Sequence, residues 1–97
     1  MNAERKSYDK KVRAELRQAK TRLEELEAHS RAEDEEVIVD LIHQLKSRHQ
    51  KLEKRRERVL TAAVEETNQE MTAIDAGIAE LRAGLVELDK RLRSKAA

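Results

Sequence analysis

Residues 71–92 read MTAIDAGIAELRAGLVELDKRL, and their apolar side chains recur in alternating steps of three and four residues. This spacing places the apolar side chains on one narrow face of an α-helix and is typical of a coiled-coil seam. The segment is therefore predicted to be a helix that packs against another helix. The seven seam residues are Met71, Ile74, Ile78, Leu81, Leu85, Leu88 and Leu92.

Two glycines, Gly77 and Gly84, lie beside this seam, seven residues apart. Each costs a helix interior about 1 kcal/mol relative to alanine. Two interpretations are open at this point. The glycines are either tolerated on the solvent-facing surface, or they allow a neighbouring helix to approach the backbone closely.

A second seam of the same kind lies earlier in the chain, at Val12, Leu16, Ala19, Leu23 and Leu26. The pattern then fades and resumes in a dense apolar cluster at residues 37–45. A polar stretch follows at residues 46–58, with Leu52 as its only large apolar side chain. Such narrow stripes favour long helices joined along seams over a thick globular core.

The composition excludes several classes of protein. The chain has 97 residues, of which 42% are charged, and it contains one aromatic residue and neither cysteine nor proline. A disulfide scaffold and a cysteine-based zinc site are therefore excluded, and a β-sandwich or barrel is disfavoured. The apolar run at residues 37–39 is far shorter than a membrane-spanning helix requires. No apolar signal segment is visible at the start, so a cytoplasmic location is expected.

Charge alternates along the chain in five blocks. The net charges are +5 for residues 1–22, −7 for 23–40, +5 for 41–58, −6 for 59–89 and +4 for 90–97, which together give +1. Repulsion spread over many residues can choose between otherwise similar helix pairings. The blocks therefore constrain where the chain turns.

Two segments are candidates for a turn. The first is residues 28–36, where the seam pattern fades. The second is residues 64–70, where Thr67-x-x-Glu70 fits a helix-capping box. A turn near residue 32 would place two basic blocks side by side. A turn near residue 65 places the basic block 41–58 beside an acidic one, and it is favoured for that reason.

We therefore predict an all-α fold, a two-helix antiparallel coiled-coil hairpin with a long helix over about residues 4–64 and a shorter one over about 68–94. Residues 1–97 form one domain, with 1–30 as an extended arm and 31–97 as the hairpin. The length of the first helix implies a rod of about 90 Å. The alternative turn near residue 32 and a single uninterrupted helix stay open.

In this hairpin the seam of the arm has no partner within the chain, and an exposed apolar stripe implies association. We expect an antiparallel homodimer or a larger even-numbered oligomer, or a helical protein partner. The predicted function is that of a non-enzymatic structural or interaction protein. Its interaction seam comprises Val12, Leu16, Leu23, Leu26, Met71, Ile74, Ile78, Leu81, Leu85, Leu88 and Leu92.

A dense run of cations suggests an alternative function, charge-driven binding of nucleic acid or an anionic membrane surface. Nucleic acid is disfavoured because the net charge is only +1 and the run contains no aromatic side chain for base stacking. A membrane surface is disfavoured because residues 68–89, which carry the apolar face, are acidic and lack aromatic side chains. Pairing of the run with the acidic residues 72–89 is the favoured interpretation. The candidate anion-binding residues are Lys46, Arg48, Lys51, Lys54, Arg55, Arg56 and Arg58.

Catalysis is not expected, since the chain lacks cysteine and a glycine-rich phosphate loop, and no catalytic, cofactor or metal site is predicted. A remote alternative is a di-metal site formed on dimerisation. Asp40-x-x-His43, with Glu36 one turn earlier, is half of the carboxylate–histidine motif of di-iron bundles. Solvated polar residues on a helix surface are the favoured interpretation.

Several short features suggest a relationship: Tyr8-Asp9-Lys10-Lys11, the spacing of Leu16, Leu23 and Leu26, Leu45, and the step Ala76-Gly77-Ile78. In these features the chain resembles a family of small bacterial and cyanobacterial coiled-coil stress-response proteins of unknown mechanism. The resemblance covers roughly residues 7–92. It implies a cytoplasmic, non-enzymatic helical protein that is raised under stress and has no catalytic residues.

Overall fold

The computed structural model describes residues 2–30 and 36–96, and these form three α-helices without any strand. Helix α1 covers Asn2–Ser30, α2 covers Glu36–Thr61 and α3 covers Val64–Ala96. Helix α2 runs antiparallel to both of its neighbours, and each helix packs against the other two. The result is an up-down-up bundle that measures 51 × 18 × 15 Å.

The all-α class is confirmed, but the predicted two-helix hairpin is wrong in the number of helices. The long helix over residues 4–64 is two helices, because α1 ends at Ser30 and α2 begins at Glu36. Most of the first candidate turn, residues 28–36, lies outside the described part of the chain, and the helices on either side of it run antiparallel. The bundle is about half as long as the predicted rod.

One apolar core joins the three helices. The seam of α1, predicted to be exposed on an arm, is buried within the chain, and Val12 and Leu16 are at most 1% exposed. Burying a side chain of this size stabilises a fold by about 1.5–3 kcal/mol. Closing α1 onto α2 and α3 therefore outweighs repulsion between exposed charges. The core residues are Val12, Leu16, Ala19, Leu23, Leu26, Ile38, Ile42, Leu45, Leu52, Val59, Ile74, Ile78, Leu81, Leu85 and Leu88, with Met71 and Leu92 partly buried against them.

The charge-block argument against a turn near residue 32 is wrong for a geometric reason. The net charge of a block counts side chains on every face of a helix, whereas only the facing ones interact strongly. Where α1 meets α2, opposite charges face each other: Arg56 lies 2.7 Å from Asp9, and Lys46 lies 2.7 Å from Glu27. Of the remaining cations in the two blocks, some pair with carboxylates of α3, as Arg22 and Arg48 do, and others are exposed to solvent, where water screens them.

The turn between α2 and α3 is tighter and earlier than predicted. The backbone N–H groups of Glu66 and Thr67 both donate to the Ala63 carbonyl, at 3.0 and 3.1 Å, so α3 begins at Val64. The predicted capping box is wrong, because Thr67 lies inside the first turn of the helix. Its hydroxyl donates to the Ala63 carbonyl at 3.0 Å and accepts a hydrogen bond from Arg5 at 2.8 Å.

The glycines of α3 allow close packing of α2. Leu52 lies over Gly77 and Leu45 lies over Gly84, and a Cβ atom at either glycine would overlap the leucine Cδ2 atom. The two leucines are seven residues apart, as are the two glycines, so the contact repeats every two helical turns. Of the two interpretations of the glycines, close approach of a helix is the one that the structure supports.

Candidate functional site

The edge of α1 that faces α3 pairs its polar side chains in a regular ladder. Three residues at seven-residue intervals on α1 meet three at the same interval on α3. The pairs are Tyr8 with Asp75, Glu15 with Arg82 and Arg22 with Asp89, at 2.8, 2.8 and 3.4 Å. This spacing follows from two parallel helices packed in register. We call these six residues the α1–α3 ladder.

Tyr8, the first ladder residue on α1, is partly buried and packs against the core. Its hydroxyl also lies 2.9 Å from the Met71 carbonyl oxygen. Burial, followed by the hydrogen bond to Asp75 and the charge of that carboxylate, raises the pKa of the Tyr8 phenol above its usual value. Tyr8 thus acts in the fold as a neutral hydrogen-bond donor.

Between α1 and α2, two polar contacts lie within the apolar interface. Arg56 lies 2.7 Å from Asp9, and both side chains are nearly buried, at 12% and 11% exposed. The hydrogen bond to Asp9 raises the pKa of the Arg56 guanidinium, and partial burial opposes this effect. Two helical turns before Arg56 on α2, Nε2 of His49 donates to the Leu16 carbonyl at 2.9 Å. These contacts hold α1 and α2 in register.

The structure disperses the cations that the sequence placed together at residues 46–58. Two of them face α1, where Lys46 meets Glu27 and Arg56 meets Asp9. Two face α3, where Arg48 lies 3.4 Å from Glu80 and Arg55 lies 3.9 Å from Glu70. The other three, Lys51, Lys54 and Arg58, are exposed. The run is therefore divided between different faces of α2, and only part of it pairs with α3.

A row of cations on α1 lies along a single edge of its helix, unlike the cations at residues 46–58. The row consists of Lys6, Lys10, Arg13, Arg17 and Lys20, all exposed, in steps of four, three, four and three residues. This spacing aligns them along one edge of the helix. Each directly follows a position on the core-facing side of α1, so the row borders the packed interface with α2. We call these five residues the α1 basic stripe.

Few carboxylates neutralise the stripe. Within residues 2–30 and 36–96, Arg13 is its only member with a carboxylate oxygen inside 4.0 Å, that of Asp9 at 3.5 Å. Asp9 is already bonded to Arg56. Further along the same edge the sign changes, since Glu24 and Glu27 continue the spacing after Lys20. The positive charge is therefore confined to the first two-thirds of α1.

The stripe borders an open groove of about 410 Å³ between α1 and α2. Glu53 is the only carboxylate among the side chains that line it, and it lies 3.4 Å from Nε of Arg56. The groove therefore has one positive wall, formed by Arg13, Arg17 and Lys20, while Arg56 and Glu53 on its other side offset each other's charge. Its lining residues are Arg13, Arg17, Lys20, His49, Glu53 and Arg56.

The sequence prediction missed the stripe, although a signal for it exists. Residues 1–22 form a block of net charge +5, but the denser run of cations at residues 46–58 points more strongly to a binding site. The heptad-like spacing of the five cations is readable from the sequence. Each of the cations follows a core-facing position of α1 by one residue, and this relation shows that they share one edge of the helix.

The described residues offer little for other kinds of site. No group of three or more histidine, aspartate and glutamate side chains within residues 2–30 and 36–96 is arranged to hold a metal ion. Asp40 and His43, the proposed half-site for a di-metal centre, are exposed on α2. None of the described helices has an apolar stretch long enough to cross a bilayer.

Comparison with known protein families, curated proteins and solved structures finds no significant match. The resemblance to a stress-response family therefore stays a prediction, and the functional argument rests on the chain's own geometry.

Proposed function

We propose that the protein is a non-enzymatic interaction module that binds a polyanionic partner through the α1 basic stripe. The observation that carries this proposal is a straight row of five exposed cations, beside which the described part of the chain places a single carboxylate that is already bonded to Arg56. Fourteen residues separate its ends, which corresponds to about 21 Å of helix. A chain of regularly spaced negative charges fits such a row.

The energetics of the helix support a role outside the fold. Like charges three or four residues apart destabilise a helix by about 0.2–0.5 kcal/mol for each pair. The stripe contains four such steps, whereas the opposite edge of α1 matches its polar groups in the α1–α3 ladder. A row that opposes helix formation and has so little compensation within the bundle is accounted for by an external anion.

Binding to heparin at low salt, followed by elution with rising salt, tests the proposal. We expect the double variant Arg13→Glu with Arg17→Glu to elute much earlier than the wild type. The matched control is Lys51→Glu with Arg58→Glu, which makes the same charge change at exposed positions on α2. Circular dichroism verifies that both variants remain helical.

The proposal is contradicted if the wild type does not bind, or if both double variants lose binding equally. Equal losses would mean that total charge, and not the stripe, governs the interaction.

Self-association is a second candidate, now supported by charge complementarity and not by the buried seam. Residues 64–89 of α3 carry seven acidic side chains and one basic side chain, so α3 of a second copy could face the stripe. In that case the mass in solution should exceed 11.2 kDa at low salt and fall towards it as salt screens the contact. A mass of one chain at every salt concentration would exclude this candidate.

A further inference from the structure

We infer that the polyanion is the sugar–phosphate backbone of a nucleic-acid duplex, bound without regard to base sequence. This inference rests on the proposed function of the α1 basic stripe and specifies its partner. A DNA duplex carries one phosphate charge for about every 1.7 Å of its axis. Over the 21 Å or so of the stripe it therefore carries about a dozen phosphate charges on its two strands, more than the five cations need.

The shape of the stripe fits a rigid linear partner. The cations are held on one continuous helix whose core-facing side is buried against α2 and α3, so their spacing is set before binding. A preorganised row loses less conformational entropy on binding than cations on a flexible tail. A duplex, which is itself stiff, gains most from such a preformed array.

A lipid surface fits the stripe less well. Interfacial helices combine cations with large apolar side chains that enter the bilayer. The exposed large apolar residues of the described chain are Val37, Val39, Leu60 and Val86, and all of them belong to α2 or α3. The stripe therefore has no apolar companion on its own helix that could insert into a membrane.

A single strand or an acidic protein surface also fits less well. Single-strand binding depends on aromatic platforms for the bases, and the one aromatic side chain, Tyr8, lies on the other edge of α1 and is bonded to α3. Stable protein interfaces centre on buried aromatic or apolar anchors, which the stripe lacks. Phosphate contacts need only cations, and they give affinity without base specificity.

The two ends of the stripe set the size of the contact. Beyond Lys20 the same edge continues with Glu24 and Glu27, which would repel a phosphate. A length of about 21 Å corresponds to about six base pairs at 3.4 Å each. The contact should therefore span about half a turn of duplex.

Fluorescence anisotropy across a salt series tests the inference. The probes are a mixed-sequence DNA duplex of about 20 base pairs, longer than the estimated contact, a second duplex of unrelated sequence, and one strand alone. Polyglutamate, heparin and phosphatidylserine vesicles are compared under the same conditions. We expect similar affinity for the two duplexes, weaker binding of the single strand, and a slope of log K against log salt of about −4 to −5.

Single substitutions then assign the contact. Arg17→Ala should reduce the magnitude of the salt slope by about 1 and weaken binding of both duplexes equally. Lys51→Ala, at an exposed position on α2, should leave the slope unchanged. If the two variants behave alike, the stripe is not the duplex-binding surface.

The probes separate failure of the inference from failure of the proposed function. Binding of heparin or polyglutamate as tight as that of the duplex overturns the duplex inference and leaves the proposed function standing. Tighter binding of the single strand or of vesicles also overturns the inference, in favour of that partner. No binding to any of the polyanions at low salt overturns both.

Discussion

The two edges of α1 carry similar numbers of polar side chains and treat them differently. On the edge towards α3, Tyr8, Glu15 and Arg22 each meet a partner seven residues further along the ladder than the last. On the edge towards α2, Arg13 is the only stripe cation with a carboxylate of the described residues within 4.0 Å, and that carboxylate, Asp9, is bonded to Arg56. One helix thus has a paired edge and an unpaired one.

The difference separates charges that are paired within the fold from charges that have no such partner among the described residues. Pairs that recur at the helical repeat define the register of neighbouring helices and are satisfied within the molecule. A row of one sign at the same repeat contributes nothing to register. Four experiments test this distinction. Each of them changes a residue at one of the two edges of α1 or in the apolar core that lies between those edges.

The largest loss of folding stability is expected in the apolar seam of α1, which lies between the two edges. Leu16 is 1% exposed, and Leu16→Ala should lower the free energy of unfolding by about 2–5 kcal/mol because it leaves a cavity in the core. Chemical denaturation followed by circular dichroism measures the loss. Gln18→Ala, at an exposed position on the same helix, should change stability by no more than about 0.5 kcal/mol. Equal stability of Leu16→Ala and the wild type would mean that α1 is an unpacked arm.

The next effect compares a paired arginine with an unpaired one. Arg56→Met retains an apolar side chain of similar length but leaves the nearly buried Asp9 with only its longer contact to Arg13, at 3.5 Å, and it should cost about 2–3 kcal/mol. Arg17→Met removes an exposed cation from the stripe and should cost less than about 0.5 kcal/mol. Thermal melts of the two variants provide the comparison. Similar melting temperatures would show that the Asp9 contact does not support the fold.

The ladder is tested at Tyr8 through pH. Tyr8→Phe removes the hydroxyl that bonds Asp75 and should cost about 1 kcal/mol at neutral pH. Because folding raises the pKa of this phenol, the stabilisation is complete below the unfolded value of 10.0. Above it the unfolded chain releases the proton and the folded chain keeps it, so wild-type stability falls as pH rises. The advantage of the wild type over Tyr8→Phe should therefore shrink in alkaline melts, and a constant difference would contradict the burial of Tyr8.

The smallest expected change in stability has opposite signs at the two edges of α1. Arg82→Ala breaks an exposed ladder contact to Glu15 and should cost about 0.2–1 kcal/mol. Arg17→Ala relieves repulsion within the stripe and introduces a better helix former, so stability should stay constant or rise by a few tenths of a kcal/mol. Chemical denaturation at low salt measures the two changes in stability. At high salt both should become smaller, because salt screens the Arg82–Glu15 attraction and the repulsion within the stripe alike. A loss at Arg17 as large as that at Arg82 would place the stripe among the structural charges.

Much of the fold follows from local pattern. The seams at residues 71–92 and 12–26 are both helical, and their apolar side chains face the core. A period near 3.5 residues keeps those side chains on one face of the helix. The close approach at Gly77 and Gly84 was one of two readings of the same pattern. What a pattern of this kind leaves open is the partner of each seam, since any apolar stripe can pack on any other.

The charge blocks did not resolve that choice. Pooling residues 1–22 and 41–58 into two positive segments hid Asp9 and Glu27, the carboxylates that face Arg56 and Lys46 across the interface. Pooling residues 46–58 likewise joined cations that point towards different helices. In both cases a sum along the chain replaced a comparison of facing side chains.

The order of residues alone determined that the chain is helical, which side chains avoid water and which edge of each helix is charged, because helical periodicity is a property of neighbouring residues. Only the packed bundle decided that the chain reverses twice, that Asp9 meets Arg56, and that the ladder uses the charges of one edge of α1 and leaves the stripe of the other. Those outcomes depend on distances between residues far apart in the chain. Such distances exist only once burial of the shared seams has brought the three helices together.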